Sequence, residues 1–206
     1  MMGTTYHFFY YLCKNYFDMG ITFFDGTNKF VFDFEHDEVV SLKGFGSNLN
    51  FIDNCFYYHF DFADDVPNAL RNKFNHFIKC NVGLKSKPKL TEFIQRAVDS
   101  LHNQVNLYLY ELVLMPDLQN DVTRYMMRYI YRFAQPKMVY YKDVLSADAE
   151  LCAQIRKQNV LIIDDVTTSG STLGEILRTL RIINEDNKIT IFSLIGRKDL
   201  MADSFV

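Results

Sequence analysis

Residues 160–172 read Val-Leu-Ile-Ile-Asp-Asp-Val-Thr-Thr-Ser-Gly-Ser-Thr, and an amphipathic stretch follows from Leu173 to Ile183. Four consecutive apolar residues, Val160 to Ile163, predict a buried parallel strand. Asp164 and Asp165 end it, and a loop of hydroxyls around one glycine then leads into a helix. Such a helix start leaves backbone N–H groups unpaired and carries the positive end of the helix dipole. With the hydroxyls of Thr168, Ser169, Ser171 and Thr172, those groups suit a phosphate, and Gly170 lets the backbone approach it closely. Two carboxylates beside an anion repel it, so Asp164 and Asp165 make chemical sense gripping sugar hydroxyls, directly or through Mg²⁺ and water.

Other chemistry-bearing residues form weaker patterns. His7, His36, His59, His76 and His102 are scattered, with no HxH or HExxH pair, which argues against a histidine metal site. Asp33, Glu35, Asp37 and Glu38 read as a solvated strand edge or turn. Ser169 and Ser171 lack the GxSxG context of a hydrolase nucleophile. Lys43-Gly44-Phe45-Gly46-Ser47-Asn48 reads as a loop, and no strand-turn-helix follows that would make it a phosphate cradle. Arg124, Arg128 and Arg132 form a ridge at i, i+4 spacing beside an apolar stripe containing Tyr125 and Tyr129, the pattern of a solvated helix face.

The acid pair and the hydroxyl loop need a scaffold, and the second half of the chain supplies its pattern. Strands are predicted over 107–115, 137–141, 160–163 and 189–195, and helices over 122–133, 148–157 and 173–183. Alternating strands and helices imply a parallel sheet covered on both faces. The first half reads differently. Ile21 to Phe24 and Lys29 to Phe34 flank the turn Asp25-Gly26-Thr27-Asn28 as a hairpin, and Cys55 to Phe62 predicts a third strand. Two amphipathic helices follow, with stripes Val66, Leu70, Phe74, Phe77, Ile78 and Leu90, Phe93, Ile94, Ala97, Val98, Leu101. The expected division is 1–104, an N-terminal hairpin-and-helix elaboration, and 105–206, an α/β core. No Pro/Gly/Ser-rich linker separates them, so the halves are expected to pack together.

Composition bounds the rest. The 206 residues are 49% hydrophobic and 23% charged, enough for a sizeable core and unlike a disordered chain. A net charge of −3 supplies no bulk attraction for nucleic acid or an anionic membrane. Nineteen Phe and thirteen Tyr with no Trp leave rings for partly exposed walls. Cys13, Cys55, Cys80 and Cys152 form no CxxC pair, so a zinc ribbon is not expected and reduced thiols are. No apolar run approaches the roughly 20 residues of a membrane span, and the N-terminal HFFYYLCKNYF lacks the layout of a signal peptide. A cytoplasmic protein is expected.

The thirteen residues from Val160 to Thr172 resemble the phosphoribosyl-pyrophosphate signature of type I phosphoribosyltransferases: four apolar residues, two acids, an apolar residue, and a Thr/Ser-rich loop with one Gly and a closing Thr. The resemblance extends more weakly over 107–195 and looks closest to the competence-associated branch. It implies an α/β, type I phosphoribosyltransferase-like parallel sheet with flanking helices, plus the N-terminal elaboration as a hood over an acceptor base. Asp164 and Asp165 would hold the ribose 2′ and 3′ hydroxyls and, indirectly, Mg²⁺. Thr168, Ser169, Gly170, Ser171 and Thr172 would hold the 5′-phosphate. A pyrophosphate loop would follow the first core strand at Pro116, Asp117, Leu118 and Gln119.

Departures from the family pattern leave two functions open. The segment Met115 to Asp121 contains two acids and no Lys or Arg. Only Lys142, Arg156 and Lys157 stand where a basic hood loop would lie, and Thr168 occupies a slot that holds Asp in purine-type members. The chain is therefore expected either to transfer a phosphoribosyl group to a nitrogenous base or to be a non-catalytic module binding phosphoribosyl pyrophosphate or a nucleotide. Its expected partner is that small molecule, with neither membrane nor nucleic acid, and a homodimer is the candidate assembly.

Overall fold

Strand β8 (Val160–Val166) is flanked on both sides, and its inward positions are fully buried. The computed structural model describes residues 21–23, 30–33, 38–41, 45–52, 55–62, 66, 68–80, 84, 87–116, 120–142, 149–155, 159–183, 185–186 and 188–197. Strands β1 (Ile21–Phe23), β2 (Phe30–Asp33) and β3 (Glu38–Ser41) form one antiparallel sheet. The second sheet has the order β4-β5-β9-β8-β6-β7. Its members are β4 (Phe45–Ile52), β5 (Cys55–Phe62), β6 (Leu112–Met115), β7 (Lys137–Tyr140), β8 and β9 (Ile189–Ile195). All pairs are parallel except the edge pair β4–β5. The helices are α1 (Asn68–Lys79), α2 (Pro88–Gln104), α3 (Asp121–Ile130), α4 (Ala149–Ile155) and α5 (Ser171–Ile183).

Strand alternation builds two cores from one run of sequence. Leu161 and Ile163 join Tyr58, Val113 and Phe192 beneath α1, α2 and α3, where Phe74, Ile78, Leu90, Ile94 and Met126 close the layer. Val160 and Ile162 join Tyr57, Leu112 and Ile191 on the other face, beneath Ile155 of α4 and Leu173, Ile176 and Leu180 of α5. Each such side chain contributes about 1.5–3 kcal/mol when fully buried. The described members of the α1 and α2 stripes, Phe74, Phe77, Ile78, Leu90, Phe93, Ile94, Ala97, Val98 and Leu101, are accordingly spent on this core.

The expected α/β class, a parallel sheet with helices on both faces and an N-terminal elaboration, is the fold observed. Several boundaries differ. Residues 45–48, read as a loop, belong to β4, where Phe45 to Ile52 pair in register with Phe62 to Cys55. Paired cross-strand neighbours outweigh the turn preference of Gly46 there. The single strand expected over 107–115 is a 3₁₀ turn, Leu107–Leu109, followed by the shorter β6. Asn106 caps that turn by accepting from the Tyr108 N–H. Elements on either side of the expected 104/105 division share one sheet and one core layer. Strand β5, from the first half, pairs in parallel with β9 from Cys55↔Ile189 onward, and helices from both halves close one layer. Asp33 of β2 pairs with Glu38 of β3, while residues 35–37 of that acidic run lie outside the described residues. Cys55, Cys80 and Cys152 are free thiols. No helix of the described residues is long and apolar enough to cross a membrane.

Candidate functional site

The strand order fixes where a ligand can enter. Among the strands of the second half the sheet runs β7-β6-β8-β9, so the chain lays strands in one direction from β6 to β7 and then reverses to β8 and β9. Helix α3 accordingly packs on one face, and α4 and α5 on the other. The connections leaving the carboxyl ends of β6 and β8 therefore diverge, and open α/β sheets bind ligands in the crevice so formed. A cavity of about 520 Å³ lies there. It is walled by Pro116 after β6, by Asp164 through Thr172 after and within β8, and by Tyr140, Lys142, Asn120 and Lys79.

The acids lie inside the strand rather than beyond it, since β8 runs to Val166. Alternation then sends their side chains to opposite faces of the sheet. Asp164 is half-buried on the α5 side, where Thr167 Oγ1 donates to its Oδ2 at 3.0 Å and the Asp165 N–H donates to its Oδ1 at 3.1 Å. Thr167 Oγ1 also lies 2.5 Å from Ser193 Oγ on β9, and the Thr167 N–H donates to Ile195 O. The base of the loop is thus fastened to the neighbouring strand. Asp165 is buried on the α1/α3 side, where Asn120 Nδ2 donates to its Oδ2 at 2.5 Å.

Burial raises the Asp164 pKa from the ordinary 3.8 to about 7, and the neighbouring charge of Asp165 pushes the same way. The Thr167 hydrogen bond and the positive charge of Lys79 oppose that rise. Burial also raises Asp165, against the backbone N–H of Val166 and again Lys79. These are the shifts expected of carboxylates removed from water with only partial compensation.

Beyond Thr167 the loop opens. Thr168, Ser169, Ser171 and Thr172 are exposed on the cavity wall. Gly170 has φ 71°, in the left-handed region that a side chain disfavours, and its carbonyl accepts the first helical bond from the Gly174 N–H at 2.8 Å. Ser169 Oγ and Ser171 Oγ lie 3.0 Å apart. A thirteen-residue helix begins at Ser171, so its N-terminus and the residues Thr168 to Thr172 border the same crevice as Asp164.

Asn120 binds the site's edges together. Its Oδ1 caps α3 by accepting from Val122 N–H at 2.7 Å, and its Nδ2 reaches the carbonyls of Ile78 and Lys79 at 3.4 and 3.1 Å as well as Asp165. One side chain therefore joins the end of α1, the start of α3 and the acid pair. Such helix ends need partners because their last carbonyls have none within the helix.

All seven residues expected at the sugar and 5′-phosphate positions border this one cavity, as do Pro116 and Lys142. Asp117, Leu118 and Gln119 lie outside the described residues, as do Arg156 and Lys157. Sequence reasoning missed Lys79, Asn120 and Thr167. Asn120 carried a readable sign, a cap residue immediately before an apolar-periodic helix; Lys79 carried none.

Among the described residues no group of three or more His, Cys, Asp or Glu could cage a metal ion. The donors present, two carboxylates at one crevice, fit Mg²⁺ in the way that ion is commonly held, through one or two carboxylates with waters and ligand phosphates completing its shell.

No family model matches the chain, and no curated protein matches its sequence. Among solved structures it is similar to a hypoxanthine-guanine-xanthine phosphoribosyltransferase, at 15% identity and a TM-score of 0.38, over 53% of this chain and 63% of that one. It is also similar to the HGPRT-ase of Leishmania tarentolae in complex with GMP, at 8% identity and a TM-score of 0.40 over 53% and 67% of the two chains. A hypoxanthine-guanine phosphoribosyltransferase of Bacillus anthracis matches at 15% and 0.36, over 53% and 68%. The chain thus spans 63% of the length of the first of these.

Proposed function

We propose that the chain binds phosphoribosyl pyrophosphate in the crevice between β6 and β8 and transfers the phosphoribosyl group to a nitrogenous base. One observation carries the reading: a glycine-centred, hydroxyl-lined helix entry and a pair of strand-borne carboxylates share one cavity of about 520 Å³ at the point where the strand order reverses. The first suits a phosphate and the second suits vicinal hydroxyls, so the ligand carries both groups a few bonds apart. The likeness to the competence-associated branch rests on the weaker sequence resemblance over 107–195.

In this reading the loop Thr168–Thr172 anchors the 5′-phosphate through N–H groups and hydroxyls. Asp164 accepts from the ribose hydroxyls, and Asp165, held by Asn120, fixes the strand end beside it. Mg²⁺, when bound with the ligand, supplies positive charge to the departing pyrophosphate, and Asp164 and Asp165 would hold it through water. The C1′–O bond to pyrophosphate breaks with its electron pair leaving on the pyrophosphate. A ring nitrogen of the base forms the new bond to C1′ and releases its proton to solvent. The protein's share is positioning and fixed charge. The aromatic N-terminal half is the proposed hood for the base.

A second reading, a module that holds the same ligand without turnover, is favoured by the composition of residues 115–121, which include two acids and no base. Incubation with phosphoribosyl pyrophosphate, Mg²⁺ and a panel of purine and pyrimidine bases separates the two. Pyrophosphate release that requires a base establishes the transferase. Saturable binding without release under every base establishes the module, and absence of binding removes both.

A further inference from the structure

We infer that Lys79, the last residue of α1, is the cation that faces the pyrophosphate group of the ligand, supplied by the N-terminal half in place of a basic residue in the loop after β6. The inference rests on the reading of the crevice given above and names the partner of its leaving group.

The loop after β6 cannot neutralise pyrophosphate with its own side chains, because residues 115–121 hold Asp117 and Asp121 and neither Lys nor Arg. Helix α1 ends at the same crevice. Its Ile78 and Lys79 carbonyls accept from Nδ2 of Asn120, the first described residue after that loop. A helix C-terminus is the negative end of the dipole and would by itself repel an anion. Here Asn120 covers two of its carbonyls, and Lys79 borders the cavity beside Pro116 and Asn120. The Lys79 charge acts on both Asp164 and Asp165. The other cation of the cavity, Lys142, lies just past β7, with its ammonium 5.8 Å from the Tyr140 ring centroid. Lys79 is therefore the cation whose backbone carbonyl is held by Asn120, at the edge of the crevice bordered by Pro116 and Asn120.

Calorimetric titration of the full chain in Mg²⁺ buffer tests this with two ligands, phosphoribosyl pyrophosphate and ribose 5-phosphate, which differ by the pyrophosphate. Lys79→Gln is expected to weaken phosphoribosyl pyrophosphate by about tenfold or more, as loss of a charge-assisted contact does. Ribose 5-phosphate should change by less than about twofold, within the small effect of a removed exposed charge. Lys79→Arg should retain most of the affinity. Retained ribose 5-phosphate binding also shows that the variant's pocket is folded. Unchanged affinity of Lys79→Gln for phosphoribosyl pyrophosphate, or equal weakening of both ligands, overturns the role of Lys79 while the crevice reading stands. If the wild-type chain takes up neither ligand, the crevice reading fails and this inference falls with it.

Discussion

Asn120 Nδ2 donates to Asp165 Oδ2 at 2.5 Å, across 45 positions of sequence, while the Oδ1 of the same amide caps α3. The acid pair is thereby held in place by a residue that need not touch ligand. Asn120→Ala removes a helix cap, worth about 0.5–2 kcal/mol, and leaves a buried carboxylate and two helix-end carbonyls without that donor, at about 1–3 kcal/mol for an unsatisfied group. Urea denaturation should show a loss of at least about 1.5 kcal/mol on those terms. Asn120→Asp keeps the cap but sets two carboxylates together, and its deficit should shrink as the pH is lowered.

The raised pKa of Asp164 fixes the sign of a pH effect. With the folded value near 7 and the ordinary value at 3.8, the folded protein holds a proton between those limits that the unfolded chain has released. Stability from this group is full below about pH 4 and is lost as pH rises through 7. The upward shift of Asp165 acts in the same direction. Thermal midpoints measured from pH 4.5 to 8 should therefore fall more steeply for the wild type than for Asp164→Asn. Parallel curves would mean that Asp164 titrates normally.

Gly196, one residue past β9, packs where no side chain fits. A Cβ there would lie 2.0 Å from the Tyr57 hydroxyl oxygen and 2.9 Å from His59 Cβ. The Tyr57 ring cannot retreat freely, since it is fully buried and stacked on His59 with centroids 4.4 Å apart. Gly196→Ala should cost about 1–3 kcal/mol as an overpacked core does. Adding Tyr57→Phe, which deletes the nearest atom, should recover some of that loss. A double-mutant cycle by denaturant titration reads the coupling, and strict additivity would show that the hydroxyl is not the obstacle.

How much of this was legible in the sequence depends on the range of the interaction. The run Val160 to Thr172 disclosed strand, loop and helix because its signals are local: four apolar residues, one glycine, and hydroxyls before an apolar-periodic stretch. The same run left open that Asp164 and Asp165 lie within the strand and face opposite sides, because alternation decides faces only once the strand's end is known. Residues 45–48 read as a loop because Gly44 and Gly46 dominate locally, whereas their pairing with His59 to Phe62 is settled by the tertiary partner. The placement of β5 beside β9 joins residues more than 130 positions apart, and neither strand carries a mark of the other. Lys79 reaches the crevice only because α1 ends over β8, so nothing in its own neighbourhood identifies it.

Gly170 should be intolerant of replacement for a backbone reason. At φ 71°, an alanine in its place costs about 1–2 kcal/mol of left-handed strain, relieved only by reshaping the loop. Gly170→Ala should lower the thermal midpoint modestly and reduce inorganic phosphate or ribose 5-phosphate binding well beyond what the stability loss explains. Calorimetry of the variant at a temperature where it is fully folded separates those effects, and full retention of affinity would mean the loop's shape is not what binds.

The most direct measurement is a crystal structure with ribose 5-phosphate bound. The phosphate is expected against the N–H groups and hydroxyls of Thr168 to Thr172, with the ribose hydroxyls within hydrogen-bonding distance of an Asp164 oxygen. Ribose 5-phosphate bound elsewhere on the molecule, or a phosphate in the loop with its sugar turned away from Asp164 and Asp165, would contradict the assignment of this crevice as a phosphoribosyl site.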